Sequence, residues 1–368
     1  MAKQNQIGIG VAGCGNVLSA YLPQIEELSR RGMAHLVAVC GTDRSRQQVS
    51  DMVAAPFFTD YGRFLEEASL DVVLILTPMR CHAPMATAAL QAGKHVVVEK
   101  PMATDLKQAR DLVTLAESRK LHLVAAPFTT LSPTFREIGR RIARGDIGRP
   151  IAARGRYGWA GPDWSEWFYK AGGGAIFDLG VYNLTTLTGW LGPVRQAMAM
   201  TGTAIPQRTI DDRTIDVEVE DNAQVLLDFG HQCFASLFCG FTIQQYRGPG
   251  LEIYGTEGTI HLLGDDWDPD GFEIWRNCAG CWQLFKETHP LWPWTDGLRH
   301  LVEAMHAGTV PEINPRHALH VLEVMLQIQA SGRERRAMPV ESTFEPPAFD
   351  TEATEPAAHR VHDRTREE

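Results

Sequence analysis

Short apolar runs alternate with amphipathic stretches over the first third of the chain. Residues 7–12, 35–40, 72–76, 95–98 and 121–126 read as strands. Residues 17–31 and 84–92 read as helices, and a further helix is capped by Thr104 or Asp105. Almost wholly apolar strands joined by crossover helices predict a parallel sheet covered on both faces. A helix follows, with Phe135, Ile138 and Ile142 at helical spacing and its end marked by Gly145 and Pro150. From Ile151 onward the pattern changes to an alternation of period two, in residues 214–227, 233–241, 251–254 and 259–263, which predicts an antiparallel sheet. The fold class expected is α/β, with a doubly wound parallel sheet over residues 1–127 and an α+β domain with a mostly antiparallel sheet over 128–346. A segment 347–368 closes the chain, and no internal repeat is visible.

A length of 368 residues suits two domains. Hydrophobic residues at 44% and charged residues at 22% exclude wholesale disorder, a fibrous chain and a membrane protein. No apolar run approaches the roughly 18 residues of a bilayer span. The net charge is -10, and half of it lies in residues 341–368, where eight acids face three arginines. With Pro346, Pro347 and Pro356 and few apolar residues after Phe349, residues 347–368 read as an acidic, flexible tail. The rest of the chain lacks the clustered cations of a nucleic-acid binder, so a small molecule is the expected partner. Seven cysteines form no disulfide framework and suit reduced thiols in a cytoplasm. Cys278 and Cys281 have CxxC spacing, but the segment Asn277 to Gly280 reads as a hairpin turn, and no metal is expected. The apolar run near the N-terminus is explained by its glycines, so no export is expected.

Those glycines offer two GxGxxG registers. Gly8, Gly10 and Gly13 fit literally but put the turn inside the first strand. Gly13, Gly15 and Leu18 put it where strand gives way to helix, and this register is preferred. There Gly13 permits a tight turn, Gly15 admits a pyrophosphate, and Asn16 and Val17 open a helix whose N-terminus attracts anions. After the second strand, Asp43 stands two positions late for a ribose-binding acid, whereas Thr42, Arg44 and Arg46 suit a 2′-phosphate. The cofactor expected is NAD(P), with a lean to NADP and NAD left open.

Four segments, in order and spacing, resemble the Gfo/Idh/MocA family of nicotinamide-dependent sugar and cyclitol oxidoreductases. They are GVAGCGN (10–16), TPMRCH (77–82), AGKHVVVEKP (92–101) and GGGAIFDLG (172–180). The resemblance implies a Rossmann domain followed by an open, mostly antiparallel sheet that receives substrate and, often, a second subunit. It implies cofactor contacts at Thr77, Pro78, His82, Glu99 and Lys100, and catalysis by Lys100, Asp178 and Tyr182. Two positions depart from the family pattern. Met79 replaces the usual Asn after Pro78, and Tyr182 stands where the family commonly has the proton-transferring His. A lysine after a sheet strand can hold a substrate hydroxyl and stabilise a developing alkoxide. Asp178, Tyr182 and Thr186 follow at i, i+4 spacing on a predicted helix.

Trp159, Trp164, Trp167, Phe168 and Tyr169 cluster before the glycine run, and Trp164 and Trp167 join Lys100, Asp178 and Tyr182 as expected substrate contacts. The activity expected is hydride transfer between nicotinamide and a ring hydroxyl or ketone of a sugar, glycoside or cyclitol. Two alternatives stand beside it: a redox-assisted lyase or glycosidase with tightly bound NAD, and a non-catalytic NAD(P) sensor. A homodimer or homotetramer is expected from the exposed face of the antiparallel sheet.

Overall fold

The computed structural model describes residues 6–50, 52–286, 292–352 and 359–360. It divides into two units, Met1–Phe128 with Thr295–Leu319 and Thr129–Trp294 with His320–Glu368.

In the first unit the strands are β1 (Ile7–Ala12), β2 (Ala34–Cys40), β3 (Phe57–Phe58), β4 (Val72–Ile75), β5 (His95–Val98) and β6 (Leu123–Ala125). They form one sheet in the order β3-β2-β1-β4-β5-β6, and every pair is parallel. Helices α1 (Leu18–Arg30), α2 (Asp43–Ser50), α3 (Tyr61–Glu67), α4 (Met79–Gln91) and α5 (Leu106–Arg119) make the crossovers. Strands β1, β4 and β6 are buried throughout, which explains why they lack polar alternation. Strand order reverses between β1 and β4, the place where doubly wound sheets open a crevice for ligands. Helix α1 turns Leu18, Tyr21, Ile25 and Leu28 to the interior at helical spacing. Asp105 caps α5 by accepting from the Gln108 amide at 2.9 Å. Helix α4 begins five residues earlier than the apolar pattern suggests, so His82 lies on its first turn and Pro84 inside it.

The second unit opens with α6 (Pro133–Ala143) and β7 (Pro150–Gly158), then a π-helical turn, Ile176–Gly180, that runs into α7 (Val181–Leu191). The expected single α-helix through Asp178, Tyr182 and Thr186 is therefore interrupted by a π turn. Strands β8 (Gln196–Gly202), β9 (Gln207–Ile210), β10 (Arg213–Asp216), β11 (Asn222–Gly230), β12 (Cys233–Gly240), β13 (Leu251–Gly255), β14 (Gly258–Asp265), β15 (Asp268–Arg276) and β16 (Cys281–Lys286) follow. Helix α9 (Pro315–Glu334), which begins in the first unit, and the two-residue strands β17 (Met338–Pro339) and β18 (His359–Arg360) complete the elements, together with α8 (Gly297–Ala307), which belongs to the first unit. The large sheet runs β17-β8-β11-β12-β7-β13-β14-β15-β16-β18, antiparallel except between β12 and β7. Residues 214–227, expected as one run, are instead divided between β10, which pairs with β9 in a separate hairpin, and β11. The turn at 277–280 joins β15 to β16.

Two segments sit elsewhere than their local pattern implies. Residues 295–319, assigned by sequence to the second domain, cluster with the first unit. Gly297 makes this possible, because a Cβ there would fall 2.3 Å from the Phe128 ring, and Leu298, Leu301 and Val302 are fully buried beside it. The start of the acidic segment is anchored by aromatic burial that its charge conceals. Phe349 packs on Phe135 at 5.8 Å and against the Cα of Gly139. Of the expected flexible tail, residues 353–358 and 361–368 lie outside the described residues. Among the described residues no helix is long and apolar enough to cross a membrane.

Candidate active site

The turn after β1 shows which glycine register the chain uses. Gly8 and Gly10 lie inside β1, where a Cβ would strike the Ser69 carbonyl at 2.3 Å and the Phe64 ring at 2.6 Å. They serve packing. Gly13 has φ +108°, and a Cβ there would lie 2.6 to 2.8 Å from the backbone of Leu76 and Thr77. Gly13 thus brings the turn against the chain leaving β4. Gly15 is exposed, and nothing lies within 4 Å of where its Cβ would be. Helix α1 starts at once, and Val17 gives it no side-chain cap; the Leu18 and Ala20 amides donate to the Gly15 and Val17 carbonyls at 3.0 and 3.1 Å, and the positive end of the helix faces the turn. Asn16 is exposed, and its carbonyl accepts from the Ser19 hydroxyl at 2.7 Å. Leu18, at the third motif position, is buried under the helix.

Five expected contacts follow the ends of β4 and β5. The Thr77 hydroxyl oxygen is buried with no hydrogen-bond partner among the described residues. Pro78 caps α4, and Met79 is buried, so it offers no polar group in place of the family's Asn. His82 is 1% exposed, and its ring nitrogens lie 2.7 Å from two carbonyl oxygens, Pro101 at Nδ1 and Thr77 at Nε2. Burial holds its pKa below the ordinary value, against the opposing pull of those two carbonyls. The imidazole ties the loop after β4 to the loop after β5. Glu99 is also buried, accepting from the Tyr21 hydroxyl at 2.7 Å and from the Lys100 amide at 3.1 Å. Tyr21, on α1, is a positioning residue that no local motif revealed. Lys100 is half-buried directly after β5.

Beyond β2, Thr42 and Ser45 bond to one another, with the Ser45 hydroxyl donating to the Thr42 carbonyl at 2.8 Å. Arg44 is exposed, and Arg46 stacks over Phe57 at 5.1 Å and faces Asp43 at 3.9 Å. An open glycine turn, a helix N-terminus without a side-chain cap and a buried threonine hydroxyl with no partner among the described residues fit a dinucleotide.

In the second unit the glycine run packs against the protein itself. Gly173 and Gly174 approach the protein's own chain, at the Trp167 and Phe168 carbonyls and at the Glu220 carboxylate. They lead into the π turn carrying Asp178, which is buried; π turns of this kind often mark functional sites. Tyr182 follows on α7, with its ring edge-on to Tyr157 of β7 at 5.7 Å and tilted on Trp267 at 6.5 Å. Burial pushes the Tyr157 hydroxyl pKa strongly upward, helped by Tyr182, Asp265, Asp178 and Asp266. Asp178 and Tyr182 thus share one neighbourhood, around Tyr157. Next to Tyr182, Asn183 donates to the fully buried Asp266 at 3.0 Å. A missing Cβ at Gly155 gives Asn183 room, since one there would lie 3.2 Å from its Oδ1.

The expected aromatic residues form one cluster: Trp167 stacks on Phe168 at 3.8 Å, and Trp164, about half exposed, stacks on Trp159 at 5.5 Å and meets Phe168 edge-on at 5.8 Å. It is Trp159 that lines the pocket beside Tyr157 and Trp267. Cys278 and Cys281 are free thiols, and the described residues contain no group of three potential metal ligands. His320 is buried and accepts from the Val194 amide at 3.0 Å; burial lowers its pKa to about 4.

A doubly wound dinucleotide unit with a lysine at its sheet edge, together with a sheet unit carrying a Tyr and Asp pair, defines a nicotinamide-dependent oxidoreductase. Two family descriptions match the chain: the oxidoreductase family with NAD-binding Rossmann fold over residues 7–126, and the GFO/IDH/MocA C-terminal domain over residues 135–261. The chain belongs to the Gfo/Idh/MocA family of NAD(P)-binding oxidoreductases. It is 30% identical to the 1,5-anhydro-D-fructose reductase of Ensifer adhaerens, over 77% of this chain and 79% of that one. It is 27% identical to the trans-1,2-dihydrobenzene-1,2-diol dehydrogenase of Macaca fuscata fuscata, over 71% and 75%. A solved levoglucosan dehydrogenase, in complex with NADH and levoglucosan, shares the fold at a TM-score of 0.79 and 19% identity, over 91% of this chain and all of that one.

Proposed function

We propose that this chain transfers hydride between NAD(P) and a ring hydroxyl or ketone of a sugar, glycoside or cyclitol, with Lys100, Asp178 and Tyr182 handling the hydroxyl proton. The observation that carries the reading is Lys100 following β5, on the sheet edge that also holds the glycine turn and the unpartnered Thr77 hydroxyl. The relatives named above act, by their names, on an anhydro-sugar and a cyclic diol, both of which present the same pair of functional groups. When bound, the nicotinamide supplies the hydride-exchanging carbon. The Lys100 ammonium hydrogen-bonds the substrate oxygen and stabilises the charge that develops as its proton leaves. Tyr182 relays that proton. Asp178 assists by orienting the substrate, Trp164 and Trp167 contribute aromatic contacts, and His82 acts through the two loops it ties together.

The preferred cofactor is NADP, supported by exposed Arg44 and by Arg46, which is near enough to Asp43 to offset its charge. The exposed Met198, Met200, Leu226 and Phe234 on one face of β8, β11 and β12 belong to a contact with a second copy, and light scattering in solution reads the resulting mass. Free thiols throughout suit a cytoplasmic enzyme.

The deciding experiment is a screen of polyols, cyclitols and glycosides followed at the reduced-nicotinamide absorbance, with NADP and NAD compared. Lys100→Met is expected to lower kcat by about 10²-fold or more, and Tyr182→Phe by a similar factor if the phenol relays the proton. Normal turnover in Tyr182→Phe with none in Lys100→Met would make Lys100 the proton acceptor and Tyr182 a binding group. Product formed at substoichiometric cofactor without net reduction would point to redox-assisted elimination.

A further inference from the structure

Within the second unit a pocket of about 520 Å³ is lined by Tyr157, Trp159, Gln245, Tyr246, Asp265 and Trp267, together with glycines. Its volume lies in the range of small-molecule sites, which is roughly 300 to 1,000 Å³. Two of its walls, Tyr157 and Trp267, are the rings that flank Tyr182. The pocket therefore continues from the residue assigned to the reacting hydroxyl.

Its polar groups are few and of definite kind. The indole nitrogen of Trp267 is buried and has no hydrogen-bond partner among the described residues. Leaving such a donor unpaired costs about 1 to 3 kcal/mol, which a ligand acceptor would recover. Asp265 accepts from the Tyr246 hydroxyl at 2.7 Å through one oxygen. A carboxylate has about four acceptor positions, so capacity remains for ligand hydroxyls. None of the lining residues is Lys or Arg. Asp265, Asp266 and Asp178 all act to raise the pKa of the Tyr157 hydroxyl, which marks the surrounding field as negative. The neighbouring cation, Arg156, stacks on Tyr246 at 4.4 Å, donates to the Arg247 carbonyl at 2.7 Å and lines a separate pocket with Arg154 and Arg247.

We propose that this pocket is a specificity subsite for a neutral polyhydroxylated ring. Asp265 accepts from its non-reacting hydroxyls and Trp267 donates to one of its oxygens, against aromatic walls formed by Tyr157 and Trp159. The subsite turns away uronates and sugar phosphates by like-charge repulsion with Asp265. The proposal rests on the functional reading above and goes further by naming the substrate class and the two residues that select it.

The test compares the full-length protein with Asp265→Asn and Trp267→Phe on matched neutral pyranosides and uronates. The neutral sugar is expected to exceed its uronate by about tenfold or more in kcat/KM. Each variant is expected to raise KM for the neutral sugar by about tenfold with kcat little changed, and Asp265→Asn also to narrow the neutral-to-uronate ratio. Cofactor affinity, read by fluorescence titration, stays at the wild-type value. An unchanged KM and ratio in both variants, or a lowered Tm with selectivity intact, would overturn the subsite. If the wild type turns over no sugar at all, the functional reading fails on its own. Calorimetry of the neutral sugars on the cofactor-loaded protein then decides the subsite: binding that Trp267→Phe abolishes supports it, and no binding to the wild type overturns it.

Discussion

The two units hold their candidate ligand groups by different means. In the first, the ligand edge is a matter of backbone. Gly13 adopts a conformation closed to other residues, Gly15 leaves an open approach, and the helix N-terminus contributes amides. In the second, the pocket around Tyr182 is a matter of side chains drawn from β7, α7 and the β14–β15 turn. A site made of backbone needs glycine at fixed offsets and so leaves a contiguous motif. A site made of side chains from remote strands leaves none, because any of several residue types suits each position.

Gly13→Ala gives the strongest test of the backbone half of that contrast. A Cβ placed 2.6 Å from the Leu76 carbonyl carbon at φ +108° is expected to cost about 3 kcal/mol and to weaken cofactor binding. Denaturant unfolding and a cofactor titration measure both, and wild-type values would break the comparison.

Asp266→Asn probes the side-chain half through pH. Burial lifts the Asp266 carboxyl from 3.8 to about 6. Between those values the folded state holds a proton that the unfolded chain has released. The contribution of Asp266 to stability is therefore full below the unfolded value and is lost as pH rises through about 6. A gap of about two pH units corresponds to at most about 3 kcal/mol. The stability of Asp266→Asn relative to wild type is expected to rise between about pH 4 and pH 7, and a flat difference would show that Asp266 is not held in the protonated form.

Tyr21→Phe has the smallest expected effect. It leaves the buried Glu99 without its donor at 2.7 Å, for a loss of about 1 to 2 kcal/mol and a weaker hold on the Lys100 loop. Unchanged stability would mean that Glu99 is positioned by the Lys100 amide alone.

Much of the first unit was legible in the sequence. Uninterrupted apolar runs disclosed the parallel strands, and AGKHVVVEKP fixed Lys100 at a strand end. What escaped there was the polar stretch 43–67, where α2 is almost wholly hydrophilic, and the return of 295–319, which depends on Gly297 meeting Phe128. In the second unit Asp178 and Tyr182 were legible through the family resemblance, but the π turn that carries Asp178 was not. What the glycine run packs against was not legible, because sequence cannot distinguish close approach to a ligand from close approach to the chain itself. Trp159 stood in the aromatic cluster, but Asp265 and Trp267 carried no signal, lying more than a hundred residues further along the chain.

By itself the sequence determined that this protein has a nicotinamide-type dinucleotide turn, a strand-end lysine and an alternating second sheet. Each follows from short-range rules of backbone conformation and burial period. Tertiary structure alone decided which side chains surround Tyr182, that Tyr21 and His82 brace the loops of the cofactor edge, and that Thr77 and Trp267 hold buried polar atoms with no hydrogen-bond partner among the described residues. Those outcomes depend on contacts between remote segments, and desolvation is set by what packs from outside the local chain.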